Sequence, residues 1–252
     1  VEKSSVESGG GNDLITVTAS INSTTVAGGG GNDSLTVVGG INASTLFGGS
    51  GNDTLTATVG ANELDKSLIQ DSSGDNVFRV TSDNLVEELT VNGGSGADSL
   101  SVTANVDSLL FKGADSNDSV LVTGNVSAST IYGGTGNDTV EIDGNVSSST
   151  IQTSVGNNVF DIDGSVKATL NAGTGNDSLI ITGAVTGGEY SLSSGNDTVK
   201  LDDAGADSKG TFKLGDGNDS IQFAGTLSGS TVYLGADKDS ITVAGKSSST
   251  TI

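Results

Sequence analysis

Gly28-Gly29-Gly30-Gly31-Asn32-Asp33-Ser34-Leu35-Thr36-Val37 decides the architecture, because versions of this string return along the whole chain. Clean copies of its Gly-Asn-Asp core end at Asp13, Asp33, Asp53, Asp138, Asp177, Asp197 and Asp219. Looser copies end at Asn76, Asp98, Asp118, Asn158 and Asp239. Twelve copies spaced 19 to 23 residues apart fill all 252 residues and leave no room for a separate domain. Such a period marks a solenoid, in which each repeat buries its apolar face by stacking on its neighbours. The sequence therefore predicts one continuous domain over residues 1–252. Both ends fall inside a repeat, so the chain reads as a segment of a longer array.

Within one period the glycines and Asn32-Asp33 form a turn, since glycine admits positive φ at no steric cost and Asn and Asp tolerate it. Ser34-Leu35-Thr36-Val37 then alternates polar and apolar residues, which puts Leu35 and Val37 on one face of a strand. Gly39-Gly40 makes a second turn, Ile41 follows it, and Ala43 to Phe47 forms a second strand with Leu46 inward and Phe47 outward. The inward frame of Leu35, Val37, Ile41 and Leu46 returns as Val140, Ile142, Val146 and Ile151, and as Leu179, Ile181, Val185 and Leu192. Short, β-branched runs bounded by glycine exclude helix as the main element. Recurrence of the whole unit in one chain order favours parallel stacking over hairpins. The expected fold is all-β, a parallel β-solenoid (β-roll or β-helix-like) of about twelve coils of about 20 residues. At about 4.8 Å per coil it forms a rod about 60 Å long.

Composition narrows the function. The chain has no Cys, His, Met, Trp or Pro, only nine aromatic residues, and 39 glycines. Ser-His-Asp and Cys-His nucleophilic catalysis is impossible without His. Carboxylate pairs for glycoside cleavage are available in number, but the aromatic residues that would line a sugar groove are scattered over different coils. No enzyme activity is expected. Ten basic against 31 acidic residues give a net charge of −21, which repels nucleic acid and favours cations. No stretch is long and apolar enough for a transmembrane helix. A threonine column at Thr16, Thr36 and Thr56 ends at Arg79, so no long threonine lattice suited to ice forms.

Stacking in register places Asp13, Asp33 and Asp53 one above another at about 4.8 Å, and Asp177, Asp197, Asp219 and Asp239 likewise. Like charges that close repel, yet ten of the twelve aligned positions are Asp and the other two are Asn76 and Asn158. A cation between turns would reverse the sign of that interaction. Calcium suits the site because it takes six to eight oxygen ligands, whereas zinc or copper would want His or Cys. The alternative is an Asx-type turn on a solvated edge.

The segments Gly9 to Thr16, Gly28 to Thr36 and Gly48 to Thr56 resemble the haemolysin-type, or RTX, calcium-binding nonapeptide G-G-x-G-x-D-x-aliphatic-x. The resemblance implies a parallel β-roll with calcium held between consecutive turns. By it, the ligands are the carboxylates of Asp13, Asp33, Asp53, Asp98, Asp138, Asp177, Asp197 and Asp219. The backbone oxygens of Gly29, Gly31, Gly49 and Gly51 complete the set. The chain departs from the family in its longer coil and in having only one consensus turn per coil. The opposite turn, as in Gly124 to Ser127, has few carboxylates, so at most one row of calcium ions is expected, interrupted near Asn76 and Asn158. Two further irregularities, 61–78 and 202–210, carry no sensible set of catalytic groups.

These features point to an extracellular structural scaffold, on the bacterial cell surface or secreted. A calcium-stabilised surface-layer (S-layer) rod is the leading form. An adhesin stalk, or the repeat domain of a secreted RTX toxin or enzyme, is the alternative. The expected partners are calcium ions and further copies of the chain in a lattice or filament, with cell-envelope polysaccharide as another.

Overall fold

A computed structural model of the chain describes residues 2–61, 63–205 and 207–252. The positions Asn62 and Ala206, one in each irregular segment, lie outside the described residues. Every element among the described residues is a β-strand, and the strands pair in parallel. The expected solenoid of about a dozen coils is what forms.

One face of the rod is a twelve-stranded sheet that begins with Leu14–Val17, Ser34–Val38 and Thr54–Gly60 and ends with Ser240–Val243. Its register is the repeat itself: Ile15 pairs with Leu35, Leu35 with Leu55, and Val37 with Ala57. The same column continues through Phe78, Leu100, Val120, Val140, Phe160, Leu179, Val199 and Ile221, all buried. The opposite face carries strands such as Thr25–Gly30, Thr45–Ser50 and Leu110–Asp115. There Val26 pairs with Leu46, and Leu46 with Ile69. Identical positions therefore stack on one another, and each apolar side chain is covered by its counterparts above and below. Burying a Val, Leu or Ile fully contributes about 1.5–3 kcal/mol, which is how a chain poor in large side chains holds a thin core.

The first six coils also have a third, two-residue strand at the corner between the faces, in addition to the two expected; in the coils from Val146 to Asp216 this corner runs on into the second-face strand. Ile21–Asn22 pairs with Ile41–Asn42, which pairs with Leu64–Asp65. The chain leaves this corner through a left-handed residue that is seldom glycine: Ser23, Ala43, Lys66, Glu88, Ser108, Ala128 and Ser148 have φ between 46° and 59°. In five of these coils a buried hydroxyl one residue on (Thr24, Ser44, Ser67, Ser129 or Ser149) follows the bend, and Leu89 and Leu109 take its place in the other two. Ser44 Oγ donates to the Asn42 carbonyl at 2.8 Å and accepts the Thr24 N–H of the preceding coil at 3.1 Å.

The sequence frame needs one correction on the second face. Tyr190, not Leu192, pairs with Leu170 and occupies the Leu46 column. Leu192 lies two residues further on, buried as expected but in a different column. Tyr190 stacks on Phe212 with ring centroids 5.0 Å apart, and Phe212 meets Phe223 edge-on at 5.5 Å. These aromatics do cluster, but inside the core, where they fill space between coils.

The three additional residues of the 61–78 irregularity are absorbed at one corner. The register skips between Thr81 paired with Thr58 and Ser82 paired with Gly60, after which Leu64–Asp65 and Leu68–Gln70 rejoin their columns. At 202–210 the chain runs into the ten-residue strand Asp207–Asp216.

Candidate metal centre

The Asp column lies inside the wall of the rod, not on its edge. Asp33, Asp53, Asp98, Asp118, Asp138, Asp177, Asp197 and Asp219 are all buried, and Asp13 is half-buried. Each carboxylate has one oxygen engaged. The N–H of Asp13 donates to Asp33 Oδ1 at 2.8 Å, that of Asp33 to Asp53 Oδ1 at 2.6 Å, and that of Asp118 to Asp138 Oδ1 at 3.0 Å. The pattern holds to the last coil, where the Asp219 N–H donates to Asp239 Oδ1 at 3.0 Å. Burying the turn's backbone therefore requires an acceptor in every coil, which both Asp and Asn provide.

The second oxygen is a different matter. Oδ2 of Asp13, Asp33, Asp53, Asp98, Asp118, Asp138, Asp177, Asp197 and Asp219 is buried and accepts no hydrogen bond. An orphaned buried acceptor costs about 1–3 kcal/mol, and more when charged. What surrounds it is shown by the two coils that differ. Asn76 Nδ2 donates to the Gly74 carbonyl of its own turn at 2.9 Å and approaches the Gly93 carbonyl of the next coil at 3.4 Å. Asn158 Nδ2 donates to the Gly156 and Ala172 carbonyls, both at 3.1 Å, and to Asp177 Oδ1 at 2.9 Å. The amide nitrogen is a donor facing oxygens. In the Asp coils an oxygen takes its place and nothing donates.

Glycine makes the crowding possible. A Cβ on Gly113 would lie 2.0 Å from Asp118 Oδ2 and 2.5 Å from the Gly133 carbonyl oxygen, so these two oxygens are close neighbours. Gly28, Gly93 and Gly133 hold the same place beside Asp33, Asp98 and Asp138. Further along, Thr153, Ala172, Leu192 and Leu214 occupy that column, so the carboxylates from Asp177 on border side chains. Among the backbone oxygens implied by the resemblance, those of Gly31 and Gly51 hold the place that Gly74 and Gly156 hold in the Asn coils. The Gly29 carbonyl points along the stack, 1.9 Å from where a Cβ on Gly49 would be. The Gly49 carbonyl already accepts the N–H and the hydroxyl of Ser72.

Burial raises the proton affinity of six carboxylates of the column, Asp98, Asp118, Asp138, Asp177, Asp197 and Asp219. It pushes Asp98 up to about 6 and Asp118 and Asp197 up to about 7, against the lowering effect of the N–H bond each accepts. Neighbouring carboxylates of the column add to the rise at Asp118 and Asp197. Asp138, Asp177 and Asp219 are raised by the same leading cause.

A proton or a cation would satisfy the oxygen-lined position. The donor set is entirely oxygen, carboxylate plus carbonyl, which is the chemistry of a hard cation such as calcium. The carboxylates run in single file, and no group of three or more acidic side chains placed to hold a metal occurs among the described residues. Any cation here would take one or two carboxylates and otherwise backbone oxygens. The residues present fit calcium in that sense.

Sequence reasoning found the column but missed two of its properties. It placed the Asp residues at a turn without showing that the wall covers them, and it overlooked Asp71. Asp71 stands in the Gly48 column, where most early coils have glycine. It is 7% exposed, and its proton affinity is raised to about 7, first by burial and then by the close approach of the Asp53 carboxylate.

No protein-family model, no curated protein and no solved structure matches the chain. No helix among the described residues is long and apolar enough to cross a membrane.

Proposed function

We propose that the chain is a calcium-stabilised structural rod of the cell exterior, and that it has no catalytic role of its own. The observation that carries this reading is the file of buried, unpartnered Oδ2 atoms, broken only where Asn76 and Asn158 supply their own donors. Outside the cell, where calcium is abundant, the cation completes the oxygen cages of the coils with glycine beside the carboxylate and offsets the repulsion along the column. At low calcium the orphaned carboxylates and the net charge of −21 leave the rod less stable, so its stability is coupled to metal. The regular sheet faces then serve as a scaffold, and self-association into a surface lattice follows once cations neutralise the charge.

Thermal melts followed by far-UV circular dichroism, in calcium and in excess chelator, test the metal. One site at a hundred times its dissociation constant adds about 2.7 kcal/mol, so a row of sites moves the midpoint by many degrees. Identical melts would leave the Asp residues as turn formers only. Electron microscopy of intact envelopes before and after chelation tests the lattice. Ordered arrays that shed subunits on chelation support it, whereas a monomer that stays in the medium at high calcium favours a stalk in a secreted protein.

A further inference from the structure

The coil containing Asn76 was expected to interrupt the metal row, because it lacks the ladder carboxylate. The structure puts a different carboxylate there. Asp71 Oδ1 is held by its own turn, accepting the N–H groups of Ser72 at 2.6 Å and Ser73 at 3.1 Å. That fixes Asp71 Oδ2 to reach back toward the preceding coil, where it accepts the Gly49 N–H at 3.2 Å. The other carboxylate at this point is Asp53, 1% exposed, whose Oδ1 accepts the Asp33 N–H and whose Oδ2 has no partner. A Cβ on Gly48 would lie 1.9 Å from Asp71 Oδ2 and 2.6 Å from Asp53 Oδ2. The two oxygens therefore converge on one spot, and the missing side chain of Gly48 is what admits both.

We propose that Asp53 and Asp71 together form a two-carboxylate site for a divalent hard cation, the most strongly charged in the column, at the coil where the repeat is broken. The proposal rests on the calcium reading of the column but adds a ligand outside the nonapeptide pattern. Two buried carboxylates this close are repelled by each other and poorly solvated, and a divalent ion between them removes both costs. Elsewhere a single Oδ2 stands beside neutral groups, carbonyls or apolar side chains. Ligand charge count is a main determinant of calcium affinity, so this site fills first. Asn76 fits the arrangement: as a neutral amide it keeps the ladder acceptor for the Asp53 N–H at 2.8 Å without placing a third charge beside the pair.

The test is titration of the chelator-stripped chain with calcium chloride at neutral pH by isothermal calorimetry. The variants are Asp71→Asn, Asp71→Gly and, as a control, Asp138→Asn. Wild type should show one site tighter than the rest. Both Asp71 variants should weaken it about tenfold or more and leave the weaker class unchanged, whereas Asp138→Asn removes only a weak site. Melts give an independent sign: Asp71→Asn should raise the midpoint in chelator, by relieving the charged pair, and lower it in calcium. Asp71→Gly restores the residue found at Gly28, Gly48 and Gly93, so it guards against a folding defect. If the other coils bind calcium and the tightest class survives in the Asp71 variants, the two-carboxylate site is wrong and the column reading stands. Loss of stability of equal size in calcium and in chelator also overturns the site, making Asp71 a turn former for Ser72 and Ser73. If wild type binds no calcium at all, both readings fall.

Discussion

Replacing Asn158 by Asp is the sharpest probe of the orphaned-oxygen argument, because it changes one buried atom from donor to acceptor with almost no change in shape. Asn158 is fully buried, and its Nδ2 makes contacts of 3.1, 3.1 and 2.9 Å to Gly156, Ala172 and Asp177. Asp keeps the acceptor that the Asp138 N–H uses, so the ladder itself survives. The donors are lost, and an anionic oxygen is left facing two carbonyls and another carboxylate. Each net hydrogen bond is worth about 0.5–1.5 kcal/mol and an orphaned buried group costs about 1–3 kcal/mol, so the substitution costs about 3–5 kcal/mol without metal. At roughly 2–4 °C per kcal/mol for a chain of this size, the midpoint drops by roughly 6–20 °C. The assay is a far-UV melt at pH 8 in excess chelator, repeated in calcium. In calcium the variant should recover part of the loss, since the new carboxylate and the Gly156 and Ala172 carbonyls that Asn158 faces are oxygens a cation would take. A midpoint in chelator equal to wild type would mean the wall tolerates a bare carboxylate, and the case for a cation would collapse with it.

Three further outcomes follow from the same geometry. Asp118→Asn, the reverse change, should stabilise the metal-free rod by about 1–3 kcal/mol, and a melt in chelator that shows destabilisation contradicts it. The metal-free rod should be more stable at pH 5 than at pH 8. Asp98 at about 6 and Asp118 and Asp197 at about 7 bind protons more tightly folded than at the ordinary value of 3.8, so the folded state holds more protons and stability falls as pH rises between about 4 and 7. Midpoints in chelator that stay flat or rise over that window count against the buried column. Ala128→Gly should stabilise by about 1 kcal/mol, because Ala128 sits at φ 46° where a Cβ costs about that much; a urea midpoint unmoved or lowered would show the corner unstrained.

How much was legible follows from which atoms carry the signal. Leu35, Val37 and Ile41 announced their columns through alternation and recurrence, and parallel stacking then followed from the period alone. Tyr190 was passed over for Leu192 because both are apolar and two residues apart, so a strand places them on the same face. The corner strand and the left-handed Ala43, Lys66 and Glu88 gave no signal, since none of these types prefers positive φ and only the stacked backbone imposes it. The Asp column was visible as a list of acids. Its burial was not, because burial here arises from coils above and below, which no single repeat contains. Asp71 could have been found by aligning it with Gly48 once the length of the irregular coil was assigned to its corner.

The turn holds adjacent coils in two opposite senses. The Asp13 N–H donates forward to the side chain of Asp33, while the Asn32 N–H donates backward to the side chain of Asn12 at 2.8 Å. The neighbouring pair repeats the arrangement, with Asn52 donating to Asn32 at 2.9 Å. At the turn, a junction therefore asks of the coil only that this pair of side chains be in place. Removing residues 119–138 would hand Asp118 the partner that Asp138 has now, Asn158. Loss of that 20-residue coil would shorten the rod by about 4.8 Å with these turn bonds closed again.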